Sequence, residues 1–191
     1  MPPRDELVIA PVVLIGPVAA GKSTVAGLLA GRLGWPSVCT DAVCGAYYAE
    51  LGFDHAEPAR RQRAGGLWAA YRSWKPFEAY AVERVLADHK DAVIDLGGGH
   101  SVQEDPELLA RVQAALAPVP NVVLLLPSPD PEESVRALTR RRPPPGDFDW
   151  HRHFVTHRSN RVLAKLVVYT GGQTAEQTSE VVHRRLVRAA S

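Results

Sequence analysis

The sequence predicts an α/β fold of three layers: a five-stranded parallel sheet with helices on both faces and a lid loop, in one domain over residues 1–191. Three observations predict it. Short apolar runs alternate with segments of helical period from one end of the chain to the other. Those runs, such as Val8–Ile15 and Asn121–Leu126, are continuous rather than alternating, as strands buried on both faces require. The first of them passes through a glycine-rich break, Gly16–Gly21, straight into a helical pattern. A length of 191 residues supports one sizeable core and falls short of two ordinary domains.

In chain order, the strand Val8–Ile15 leads to a helix over Lys22–Leu33, with Val25, Leu28, Leu29 and Leu33 on one face. Pro36–Cys39 reads as a short strand. Asp41 is placed to cap the next helix, which carries Tyr47, Tyr48 and Leu51. The polar stretch Phe53–Arg63 has no clear period. Pro76 reads as the first turn of a helix that runs through Leu86. A strand over Ala92–Leu96, a helix over Pro106–Leu116, a strand over Asn121–Leu126 and a helix over Pro131–Arg141 follow. Pro143-Pro144-Pro145-Gly146 forces a loop over Arg142–Trp150. A helix over His151–Leu163, a strand over Leu166–Tyr169 and a helix over Thr174–Val187 complete the pattern.

Bulk properties exclude several functions. The net charge is +1, with 46% hydrophobic and 23% charged residues, so no overall field points to nucleic acid or a membrane surface. The apolar run near the N-terminus is too short for a membrane span and has the wrong flanks for a signal peptide. Cys39 and Cys44 make no disulfide framework, so a cytoplasmic location is expected. A monomer fits these properties as well as an oligomer does.

The strongest motif is Gly16-Pro17-Val18-Ala19-Ala20-Gly21-Lys22-Ser23, followed by Thr24, which matches G-x-x-x-x-G-K-[ST] between a strand and a helix. Glycines at this spacing turn backbone N–H groups inward onto phosphate oxygens, and the helix N-terminus adds partial positive charge. Lys22 is placed to reach the β- and γ-phosphates and Ser23 to offer an oxygen to Mg²⁺, which predicts ATP and Mg²⁺ and puts the fold in the P-loop NTPase class. No Asn-Lys-x-Asp segment follows any strand, which argues against a guanine nucleotide, and no repeat or second domain suggests a motor. Asp95, ending the apolar run Val93-Ile94-Asp95, is a second candidate for the metal, or else a carboxylate that bonds only loop backbone.

Around this core the chain resembles the shikimate kinase family from about Val12 to Val182. The stretch GPVAAGKSTVAGLLAGRLGWPSVCTD is similar to the family's opening, which ends in an acidic pair spaced D-x-D; here Asp41 is the second acid and Cys39 stands at the first. Trp74-Lys75-Pro76-Phe77-Glu78 lies where the family has F-R-x-x-E, with Lys75 at the substrate-carboxylate arginine. VIDLGGGH matches the strand and triple glycine of the substrate pocket, LTRRRPPP the start of the lid, and His157-Arg158 a second substrate-binding arginine.

The resemblance implies a kinase that moves the γ-phosphoryl group of ATP to a hydroxyl of a small metabolite. It implies Asp41 as the acid that orients the hydroxyl, although Asp41 as a helix cap remains open. Arg142 is expected to close on the phosphates with the lid, Arg140 and Arg141 leaving its register open, and Arg136 to stack on adenine. Lys75, Gly97, Gly98, Gly99, His100 and Arg158 are the expected substrate contacts, within an acceptor segment of about 41–90 and under a lid of about 142–150. Cys39 cannot ligate magnesium as an aspartate does, and Lys75 lacks the bidentate fork of arginine, so an altered acceptor site is expected. Tyr47, Tyr48, Trp68, Tyr71 and Trp74 are either core or the wall of an enlarged acceptor pocket. Asp147, Asp149, His151, His153 and His157 fit no zinc spacing.

Overall fold

The structure is a computed structural model that describes residues 8–146 and 148–190, excluding the side chains of 188–190. Asp147 lies outside the described residues. The elements run β1 (Val12–Ile15), α1 (Lys22–Leu33), β2 (Ser37–Cys39), α2 (Thr40–Glu50), α3 (Glu57–Asp88), β3 (Val93–Asp95), α4 (Pro106–Leu116), β4 (Asn121–Leu126), α5 (Pro131–Arg141), α6 (Trp150–Thr156), α7 (Arg158–Leu163), β5 (Leu166–Tyr169) and α8 (Ala175–Ala190). The five strands form one sheet in the order β2-β3-β1-β4-β5 with every pairing parallel.

Strand alternation divides the core into two layers. Val13, Ile15, Ile94 and Leu124 face one side, where α2, α3, α4 and α7 cover them. Val12, Leu14, Val93 and Val123 face the other, against α1, α5, α6 and α8. Each fully buried Leu or Val contributes about 1.5–3 kcal/mol. β1 sends the chain toward the β2 edge and β4 sends it toward the β5 edge, so their carboxyl ends flank the topological switch point where such sheets hold ligands.

Three expectations are corrected. β1 begins at Val12 rather than Val8, since Pro11 has no N–H to give a ladder. Pro76 does not start a helix. It lies inside α3, where the burial of Ala79, Val82 and Val85 outweighs the one backbone hydrogen bond it removes. That helix is broken instead at Gly65-Gly66, where Gly66 has φ 77°, a conformation that favours glycine. The helix expected over His151–Leu163 is two. His157 turns extended, accepts from the Ser159 N–H and so starts α7.

Candidate active site

The nucleotide side of the cleft is built from backbone. After β1, Gly16 adopts φ 134°, and a Cβ there would lie 2.5 Å from the Leu125 carbonyl oxygen. Ala19 is left-handed at φ 64°, and Gly21, at φ 90°, precedes α1 without a side-chain cap, leaving the helix entrance open to an anion. Lys22 is buried, with Nζ donating to the Pro17 carbonyl at 3.1 Å and lying 4.0 Å from Asp95 Oδ1. The Ser23 hydroxyl donates to Asp95 Oδ2 at 2.5 Å. Burial pushes the Lys22 ammonium down and the Asp95 carboxyl up, and each charge opposes the other's shift.

Asp95 ends β3 in direct register with Cys39 of β2, and the Cys39 thiol lies 3.9 Å from its carboxylate. An acid therefore stands beside Cys39, one strand over. Asp95 Oδ1 is buried without a hydrogen-bond partner among the described residues. A hydroxyl and a carboxylate with an unmatched oxygen, beside the phosphate loop, form an all-oxygen donor set that fits Mg²⁺.

Beyond the loop, a cavity of about 730 Å³ opens between the β4–α5 and β5–α8 connections, lined by Arg136, Arg140, Arg141 and Tyr169. Arg136 thus lines this cavity beside Arg140 and Arg141. Arg141 donates to the Ala19 carbonyl at 3.2 Å. Arg142 turns away from that side: its carbonyl accepts from His151 Nε2 at 2.7 Å, and it lines the opposite cavity. The arginine touching the phosphate loop is Arg141, one position before the expected one.

The acceptor side is built from side chains. The residue preceding α2 is Cys39, and Asp41 lies in the first turn with no capping bond, which removes its reading as a cap. Its side chain is 67% exposed and stands 3.6 Å from His100 Nδ1. His100 is buried, bonded through Nε2 to the Tyr48 hydroxyl at 3.1 Å, and burial holds its pKa below the ordinary value.

The triple glycine is required by close approach on three sides. A Cβ at Gly97 would fall 1.9 Å from Asp41 Oδ1, one at Gly98 would strike Val18 of the phosphate loop, and one at Gly99 would lie 2.5 Å from Glu78. These glycines bring Asp41 and the phosphate loop together.

Lys75 does not present its charge to the cleft. It is 3% exposed, and its ammonium donates to Glu78 at 2.6 Å, to the Gly99 carbonyl at 3.0 Å and to the Val102 carbonyl at 2.9 Å, which occupies all three N–H groups. The Lys-x-x-Glu spacing on a helix was the available signal for this pair. Arg158 is exposed at the start of α7 and does not line the acceptor cavity.

That cavity, of about 670 Å³, runs from Val18 and Asp41 to the lid, between Tyr71 and Trp74 on α3 and Trp150 and Phe154 on α6. Tyr47 and Tyr48 are core residues, while Trp68 stacks on Tyr71 and meets the lid residue Phe148 at a tilt. The histidines near the lid take separate partners: His151 the Arg142 carbonyl, and His153 the Glu104 carboxylate, which also accepts from Tyr71. Asp149 caps α6. Sequence reasoning did not find the Glu104 bonds, for which the chain carries no local signal.

No family model matches the chain. Among curated proteins, it is 30% identical over 186 residues to a shikimate kinase of Streptomyces avermitilis, covering 90% of this chain and 92% of the relative. It is 33% identical over 179 residues to a shikimate kinase of Streptomyces coelicolor, covering 88% and 91%. Among solved structures, shikimate kinase from Acinetobacter baumannii in complex with shikimate superposes with a TM-score of 0.66 at 20% identity, over 96% of this chain and 95% of that one. The enzyme from Aquifex aeolicus gives 0.59 at 20% identity, over 94% and 97%. The similarity of the two Streptomyces proteins across nearly their whole length shows that this chain belongs to the shikimate kinase family.

Proposed function

We propose that the protein is an ATP-dependent kinase that transfers the γ-phosphoryl group to a hydroxyl of a small metabolite, with an acceptor site altered from that of shikimate kinases. The observation that carries this reading is the approach of Asp41 to the phosphate loop across Gly97 and Gly98. A free carboxylate beside a triphosphate cradle is what hydroxyl phosphorylation needs and what a mere nucleotide sensor does not.

In this reading the loop amides and Lys22 hold the β- and γ-phosphates, while Asp41 orients the acceptor hydroxyl and takes its proton. The acceptor oxygen forms a bond to the γ-phosphorus as the bond from that phosphorus to the β–γ bridging oxygen breaks, and ADP leaves. Ser23 and Asp95 would hold Mg²⁺, whose charge offsets that of the phosphate oxygens. Arg141 stands on the nucleotide side and Arg142 on the acceptor side, so the lid can supply cations to both ends of the transfer. Shikimate as the acceptor is favoured by the relatives' names, and the internal bonds of Lys75 weigh against it.

The test is ADP release with Mg²⁺–ATP and a panel of shikimate, gluconate, nucleosides and aminoglycosides. Stimulation by at least one acceptor is expected, with Asp41→Asn lowering kcat by about 10²–10⁴-fold at unchanged melting temperature. Tight ATP binding with no stimulation by any acceptor removes the kinase reading.

A further inference from the structure

We propose that His100 is a positioning residue for Asp41: its Nδ1–H holds one oxygen of the Asp41 carboxylate, so that the other faces the acceptor hydroxyl. The inference rests on the kinase reading above and assigns to that site a residue that acts without touching the substrate.

Asp41 has little else to hold it. Its side chain is 67% exposed, caps no helix and accepts no hydrogen bond among the described residues. A carboxylate in that setting samples several rotamers, and only some of them aim an oxygen at a substrate hydroxyl. The ring that stands against it is His100, whose Nδ1 lies 3.6 Å from Asp41 Oδ1.

His100 is fixed where Asp41 is free. It is 3% exposed and does not line the acceptor cavity, so its place is set by the core and not by a ligand. Its backbone N–H donates to the Gly97 carbonyl at 3.0 Å, and its own carbonyl accepts from Gln103 Nε2 at 3.3 Å. Its Nε2 lies 3.1 Å from the Tyr48 hydroxyl. The Tyr48 ring in turn packs against Phe53, Trp74 and Phe77, with centres 5.4, 5.9 and 6.0 Å away.

The ring nitrogen facing Asp41 is buried and has no hydrogen-bond partner among the described residues. An unpaired buried nitrogen is costly, and a shift of about half an ångström by the exposed Asp41 side chain brings its oxygen within hydrogen-bond range. Gly97 keeps that path clear, since a Cβ there would lie 1.9 Å from Asp41 Oδ1 and 2.6 Å from His100 Nδ1. The protons can be placed as well. An ionised carboxylate only accepts, so the nitrogen facing it carries the hydrogen. Burial keeps the His100 ring neutral and the Tyr48 hydroxyl protonated, so Nε2 is bare and accepts from the Tyr48 O–H. Tyr48 thus sets the tautomer, His100 holds Asp41 Oδ1, and Oδ2 is left for the proton of the acceptor hydroxyl.

The experiment has two arms, both on full-length protein. In the first, two-bond ¹H–¹⁵N correlation of the imidazole rings is recorded with Mg²⁺ and a non-hydrolysable ATP analogue, His100→Gln identifying the His100 signals by their loss. Nδ1 is expected to carry the proton, and Asp41→Ala to shift that signal. A bare Nδ1, or a His100 signal indifferent to Asp41→Ala, overturns the inference. In the second, ADP release is measured with Mg²⁺–ATP and each of shikimate, gluconate and uridine. His100→Gln keeps a partner for Tyr48 and loses the donor to Asp41, whereas His100→Asn keeps a donor at the place of Nδ1 and loses the bond to Tyr48. His100→Gln is expected to lower kcat by about tenfold or more with both KM values within about threefold, and His100→Asn to recover most of that loss although it melts lower. A kcat that follows the melting temperature instead, with His100→Asn the slower variant, overturns the inference and keeps the kinase reading. No stimulation by any of the three acceptors counts against the kinase reading, and the first arm then decides by itself whether His100 holds Asp41.

Discussion

The two halves of the cleft share a wall, the turn from β1 into α1, yet they are specified in different ways. On the nucleotide side, position is fixed by backbone: Gly16 is pressed against the Leu125 carbonyl, Ala19 and Gly21 are left-handed, and α1 opens without a cap. On the acceptor side, position is fixed by side chains from distant segments: Asp41 from α2, Tyr71 and Trp74 from α3, Trp150 and His151 from α6. A backbone-defined site tolerates little variation and keeps its spacing. A side-chain-defined site can be rebuilt one residue at a time; here the Lys75 ammonium is bonded to Glu78 and two carbonyls, and aromatic rings line the cavity.

The sharpest way to break this comparison is on the nucleotide side. Asp95→Asn retains the volume and a bond to Ser23 but loses the charge, and kcat for Mg²⁺-dependent ADP release should fall by about 10²–10³-fold. A Mg²⁺ titration that leaves turnover near wild type would mean that the acid next to Cys39 is not the metal's partner. Lys75→Met comes next. It leaves Glu78 unpaired beside the Gly99 backbone and should cost about 3 kcal/mol in urea denaturation, while the acceptor KM moves less than about threefold. A large rise in KM with little loss of stability would return Lys75 to the acceptor.

The glycines give a matched pair. Gly16→Ala drives a Cβ into a backbone carbonyl at a positive φ and should destabilise the fold by about 2–3 kcal/mol. Gly97→Ala meets side chains rather than backbone, Asp41 Oδ1 at 1.9 Å and the buried His100 Nδ1 at 2.6 Å, so kcat should drop by about tenfold or more with a smaller loss of stability than Gly16→Ala.

The smallest effect is with pH. Burial holds the His100 pKa down, against the pull of Glu78 and Asp41, so the unfolded chain takes up a proton before the folded one does. The stability due to neutral His100 is therefore fully present above about pH 6.5 and declines as pH falls toward the folded value, by up to about 1.4 kcal/mol per pH unit. Denaturation of wild type and His100→Gln at pH 7.5 and 5.5 should show the larger loss in wild type.

The same division explains what the sequence made legible. The strands at Asn121–Leu126 and Leu166–Tyr169 and the helices at Lys22–Leu33 and Pro106–Leu116 carry their own periods and punctuation, and the structure has them at those bounds. The phosphate loop is local too, so its motif spacing carries its geometry. The place of Asp95 at the end of β3 was legible because it closes an apolar run. Helix α3 was not, since Pro76 is tolerated there through tertiary burial of the turns after it. The role of Lys75 depends on carbonyls at Gly99 and Val102, far along the chain, and Arg141 differs from Arg142 only in which side of the lid it faces.

The central claim is that a preserved nucleotide site serves a remade acceptor site. Steady-state ADP release at saturating Mg²⁺–ATP, comparing kcat/KM for shikimate with that for neutral ring alcohols such as phenyl β-glucoside and uridine, tests it most directly. The account predicts that Mg²⁺–ATP is used and that at least one neutral alcohol exceeds shikimate. A kcat/KM for shikimate above that of every neutral alcohol would contradict it.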